Sequence, residues 1–94
     1  MNLHFEITDV HLAIPPEDSA DRGLIGFVSF TLNGGLHIES LTMRQTSDGR
    51  LTLSYPSRKD QQDQRHFIVR PLNDEVRRDI ERQIMDAICK EEAL

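Results

Sequence analysis

The chain has 94 residues, 37% apolar and 29% charged, with a formal net charge of −5. That bounds one domain over 1–94 with a small core and a thin stability margin, so exposed apolar strands would be best buried in a partner subunit. There is no run of eighteen apolar residues to span a membrane, and Met1 leads straight into NLHFEITDV without the basic start and long apolar run of a signal peptide. Cys89 is the single cysteine, which excludes a disulfide framework and makes a reducing cytoplasm the expected setting.

The first element is an alternating strand. Leu3, Phe5 and Ile7 share one face, the phase slips by one residue, and Val10, Leu12 and Ile14 continue it, so a bulge is expected near Thr8-Asp9. Pro15-Pro16 ends the strand, and PPEDSADRG reads as a polar, turn-rich loop. LIGFVSFTL and LHIESLTM flank Asn33-Gly34-Gly35, residues that tolerate positive φ, which predicts a hairpin. Ser47-Asp48-Gly49 is a second tight turn, leading into RLTLSY, where Leu51, Leu53 and Tyr55 share a face before Pro56 stops the strand. SRKDQQDQ reads as a hydrophilic loop, and RHFIV as a further short strand closed by Arg70-Pro71.

Asn73 is placed to cap a helix, with Asp74 and Glu75 at the positive end of its dipole. Val76, Ile80, Ile84, Ala87 and Ile88 form one apolar stripe, so the helix is predicted to run to about Lys90. Strands first and one helix last give an α+β fold: a small antiparallel sheet of about five strands packed by a C-terminal helix.

The charge is unevenly distributed. Residues 1–43 are net −5, residues 44–70 net +3, and residues 71–94 net −3. This positive middle third hints at a polyanionic partner. Within it, Arg58-Lys59 admits two readings. One is a solvated loop whose charges Asp60 and Asp63 neutralise. The other is a phosphate contact, with an Arg fork beside a mobile Lys charge. Tyr55, beside the same segment, stacks on a splayed base or packs in the core with its hydroxyl at the rim. The four Phe residues read as mostly core. Arg77, Arg78 and Arg82 on the helix have acids three or four positions away, so intrahelical ion pairs absorb them.

Catalytic and metal constellations are missing. His4, His11, His37 and His66 lack ligand spacing, and no serine has a nucleophile-elbow context. Cys89 falls late in a helix among acids, a poor place to lower a thiol pKa. Of the paired carboxylates Glu6 and Asp9, the latter is expected to bond local backbone. Gly34-Gly35 opens no helix and cradles no phosphate. No enzyme activity, cofactor or metal is expected.

ITDVHL near the start, GFVSFTLNGGLHIESLTM in the middle and YPSRKDQQDQRHFIVRPLN before the last helix resemble the bacterial septation regulator SpoVG family. The resemblance covers roughly residues 5 to 90, and Pro56-Ser57-Arg58-Lys59 followed by Pro71-Leu72-Asn73 is its most specific part. It implies a homodimeric α+β regulator, linked to septation, sporulation, capsule or virulence expression, that binds DNA and, in some members, RNA. Arg58-Lys59 match the family's basic pair. Arg65-His66-Phe67 departs from its aromatic-Arg-Asp, so His66 stands where an Arg is usual. The resemblance favours the phosphate reading of Arg58 and Lys59, with Arg44, Tyr55, Arg65, His66 and Arg70 as further candidates of the same surface. The competing reading is a non-catalytic interaction subunit whose basic loop docks an acidic protein.

Overall fold

A computed structural model describes residues 4–16 and 23–92. Most of the acidic loop after Pro16 therefore lies outside the described residues. Four strands form an antiparallel meander in the order β1-β2-β3-β4: β1 Ile7–Ala13, β2 Leu24–Leu32, β3 Leu36–Gln45 and β4 Leu51–Ser54. A separate two-stranded ribbon follows, β5 Ser57–Lys59 and β6 Arg65–Phe67, and then α1, Asp74–Glu92. The α+β class is as expected, but the strand count divides differently. The main sheet has four strands, and the segment expected to be a hydrophilic loop from Ser57 supplies one side of the ribbon. Pro56 cannot donate to a ladder, so β4 ends there and the chain leaves the sheet.

One face of the sheet is buried and the other is not. In β2, Val28 and Phe30 point into the core at 1% exposure each, whereas Phe27 on the opposite face is 46% exposed. Leu41 and Met43 of β3 continue the inner face, and Val76, Ile80 and Ile84 of α1 close over it. The predicted helical stripe is thus the packed one. Ala87 and Ile88 complete it at partial burial, and the helix runs two residues past Lys90. Asn73 caps it: the Val76 N–H donates to Asn73 Oδ1 at 2.9 Å, satisfying one of the free donors of the first turn.

The sheet is shaped by irregularities in register. Between Thr8↔Thr31 and His11↔Ser29, two residues of β1 oppose one of β2, and Asp9 takes a φ of 51°. This is the bulge expected from the phase slip, and it lets both Ile7 and Val10 face the core. A second bulge, not anticipated, sets Glu39 and Ser40 against Ser29, with Ser40 at φ 71°. At Gly26 a Cβ would stand 2.6 Å from the Ala13 carbonyl oxygen, so only glycine lets β1 and β2 approach there. The Asn33-Gly34 turn has φ of 52° and 68°, and Asn33 ties it to the segment before β1: its Oδ1 accepts from the Glu6 N–H at 2.8 Å.

Gln83 locks the helix to the edge strand. Its Nε2 donates to the Phe5 carbonyl at 2.7 Å, and its Oε1 accepts from the Ile7 N–H at 3.1 Å, as a neighbouring strand would. Among the described residues no helix is long and apolar enough to cross a membrane.

Ile84 is completely buried at the helix–sheet contact. Ile84→Ala is expected to lower the unfolding free energy by about 2–5 kcal/mol, a large share of the roughly 5–15 kcal/mol of a typical domain. Arg78→Gln, on the exposed side of the same helix, is expected to change it by no more than about 0.5 kcal/mol. Urea titrations of the two variants, followed by far-UV circular dichroism, check both values.

Candidate nucleic-acid interface

The ribbon positions most of the basic residues singled out in the sequence. Its register is Ser57↔Phe67, Arg58↔His66 and Lys59↔Arg65. Opposed residues in an antiparallel pair share a face, and neighbours along a strand do not. Arg58 and His66 therefore occupy one face, and Ser57, Lys59 and Arg65 the other. The basic pair is split across the ribbon, a consequence of its being a strand and not a loop.

The turn joining β5 to β6 is organised by one carboxylate. Asp60 Oδ1 accepts the backbone N–H groups of Gln62 at 2.8 Å and Gln64 at 2.9 Å, and Oδ2 lies 2.7 Å from His66 Nε2. The His66 hydrogen bond, followed by those from the backbone, holds the Asp60 carboxyl below its ordinary range. Lys59 Nζ stands 3.5 Å from Asp63, an exposed contact that adds little stability. Lys59 thus faces Asp63, as the solvated-loop reading expected, but Asp60 faces His66 instead of Arg58. Arg58 is exposed and makes no ion pair among the described residues.

The remaining candidates divide between two places. Arg44 on β3 and Arg65 on β6 line one groove between the open face of the sheet and the ribbon, and Arg65 Nη1 donates to Ser57 Oγ at 3.0 Å. Arg70 sits apart, at the rim of an apolar cleft lined by Val69, Pro71, Leu72 and Val76 at the start of α1. Tyr55 packs in the core at 9% exposure, in keeping with the core alternative for its ring. Burial, and then the nearby Glu81 charge, push its phenol up to about 12, and its hydroxyl has no hydrogen-bond partner among the described residues.

Two of the three helix arginines form the expected intrahelical ion pairs, and Arg78 instead donates to the Asp74 carbonyl at 3.3 Å. Arg77 lies 3.3 Å from Asp74 and 3.5 Å from Glu81, and Arg82 bridges to Asp79. No group of three or more His, Cys, Asp or Glu among the described residues could hold a metal ion.

The Phe residues need correction. Phe30 is core and Phe5 packs against it, but Phe27 is 46% exposed and Phe67 54% exposed. Strict alternation in LIGFVSFTL already sets Phe27, Ser29 and Thr31 against Val28 and Phe30. The signal was present, and the apolar character of the strand as a whole hid it.

The low Asp60 pKa gives a testable acid dependence. A carboxyl held down in the folded state stabilises that state above its unfolded pKa, and the contribution is lost as pH falls through the folded value. Carbon-detected NMR titration is expected to place Asp60 below the ordinary aspartate value of about 3.9. The Gln62 and Gln64 amide signals should move with the same midpoint. In His66→Ala that midpoint should rise, and an unmoved midpoint would remove His66 as the main cause.

A family profile described as SpoVG matches residues 5–90. No curated protein matches the chain. The profile spans both sheet and helix, from the residue before the β1 edge contact to Lys90, and on that match the chain belongs to the SpoVG family.

Proposed function

We propose that the protein is a homodimeric nucleic-acid-binding regulator that contacts phosphates of DNA or RNA through its basic ribbon and the adjoining sheet face. Membership in the SpoVG family suggests a regulator connected with septation or sporulation. The observation that carries the binding half is the convergence of the positive middle third. Arg58, Lys59 and Arg65 stand on one small ribbon, and Arg44 meets Arg65 in the same groove. An Arg-rich ribbon beside hydroxyl-bearing strands suits phosphate oxygens, which accept from forked guanidinium donors. The acidic remainder of the chain opposes non-specific adhesion to polyanions, so binding is salt-sensitive.

Dimerisation is supported by apolar surface that the single chain leaves uncovered. Ile14 is 70% exposed, Leu36 57%, Ile68 64% and Leu72 76%. The edges of the sheet, β1 and β4, have no further strand beside them among the described residues. Open edges with apolar neighbours favour pairing with a second copy. Two ribbons on one dimer would engage one nucleic acid together and raise the effective concentration of each.

The test is a salt series with Arg58→Ala, Lys59→Ala, run alongside sedimentation equilibrium. The wild type is expected at twice the chain mass of 10.8 kDa. Over a dimer the double variant removes four positive charges, two of them from Lys59 beside Asp63. The slope of log affinity against log salt on duplex DNA is therefore expected to fall by roughly 2–4, nearly independently of base sequence. Stability should hardly change. Unchanged slope and affinity would transfer the ribbon to the competing role, docking an acidic protein partner, and a 10.8 kDa monomer at micromolar concentration would remove the dimer.

A further inference from the structure

We propose that the helix-free face of the sheet binds a single strand of nucleic acid, with a phosphate seated in the groove between β3–β4 and the ribbon and a base stacked on Phe27. This rests on the nucleic-acid reading above and deepens it, because it names the strandedness of the ligand and a second contact surface.

The groove has the chemistry of an anion site. Its volume is about 440 Å³, and among the described residues its polar lining consists of Arg44, Arg65 and the hydroxyls of Ser40, Thr42, Ser54 and Ser57. The hollow around Arg58 and Lys59 differs, since Asp60 lines it and Asp63 faces Lys59. The sheet groove instead sets its two arginines among four hydroxyls, a donor set that suits phosphate oxygens. The bond from Arg65 to Ser57 uses one of the five N–H donors of a guanidinium and fixes its position, leaving the others to face a ligand. Hydroxyls can accept or donate, so the surrounding serines and threonine suit phosphate oxygens and base edges alike.

Phe27 lies next to this groove on the same face. It pairs with Thr42, and Arg44 stands two residues further along β3 on the same face, just beyond the register shift between Leu24 and Gly26. Ser29 and Thr31 on its own strand and Thr42 and Ser54 across the ladder share its face, with Ala13 opposite it on β1. The ring lies outside the helix-covered core and, 46% exposed, offers a π-face on the broad surface of an inner strand. A base can reach that surface only after leaving its stack, which a single strand permits and a duplex resists. An aromatic beside a positive groove is the arrangement by which sheet surfaces hold single strands.

Anisotropy titrations with labelled short oligo-dT, oligo-U and a duplex of equal length test the proposal, using wild type, Phe27→Leu, Phe27→Tyr and Arg65→Ala. The wild type is expected to bind the single strands more tightly than the duplex. Phe27→Leu keeps apolar bulk but loses the ring, and should weaken single-strand binding by at least about fivefold with duplex binding within about twofold. Phe27→Tyr should retain affinity, which a merely structural role for the position would not require. Arg65→Ala should lower the single-strand salt slope by about 0.7 for each protomer engaged.

Equal single-strand affinity in Phe27→Leu and wild type overturns the proposal, as does an unchanged slope in Arg65→Ala. A wild type that binds duplex alone, and loses it in the Arg58, Lys59 double variant, leaves the nucleic-acid reading standing and sinks this one. A wild type that binds no oligonucleotide sinks both. A shift from dimer to monomer in Phe27→Leu would assign the face to a second copy of the chain and likewise overturn the proposal.

Discussion

One helix covers one face of one sheet, and most of the molecule follows from that. Val76, Ile80 and Ile84 fit against Val28, Phe30, Leu41 and Met43, and these residues make up most of the buried core. With a core this small the sheet cannot be covered twice. Each strand therefore alternates apolar residues inward with hydroxyls, histidine or arginine outward, and the bulges in β1 and β3 keep the inner set in phase as the strands twist. Gln83 adds a polar lock where the stripe reaches the sheet edge, and it satisfies backbone groups that would otherwise face the helix unpaired.

The same one-sidedness separates the charges by task. Arg77 and Arg82 of α1 pair with acids of the same helix. Of the basic residues of the middle third, Arg44 and Arg65 share a groove on the other side of the sheet, and Arg58 and Lys59 stand on the adjoining ribbon. A net acidic chain can thus carry a locally positive surface, because the helix keeps its own ion pairs to itself.

Much of this was legible in the sequence. The phase slip at Thr8-Asp9, the Asn33-Gly34 turn, the Asn73 cap and the stripe on α1 are local patterns, and each is found where it was expected. The ribbon was legible only in its second strand, which RHFIV marks. Ser57-Arg58-Lys59 has no apolar alternation to mark a strand, and its pairing depends on Asp60 gathering the turn amides, a polar device with no periodicity. The position of Arg44 beside Arg65 was hidden for a different reason: they are brought together by the chain leaving the sheet at Pro56, a long-range event that no local window contains. Gln83 was unread for the same cause, since its partners lie at the far end of the chain. Phe27 was legible and was masked by the apolar run around it.

The most direct test of the account is a map of where nucleic acid touches the protein. Amide signals of the labelled protein would be followed by heteronuclear NMR while unlabelled oligo-dT is added. The account predicts shifts at Phe27, Thr42, Arg44, Ser54 and the β5–β6 ribbon, with the exposed side of α1, from Arg78 to Asp86, unmoved. Shifts centred on α1, with the open sheet face and ribbon unmoved, would contradict it.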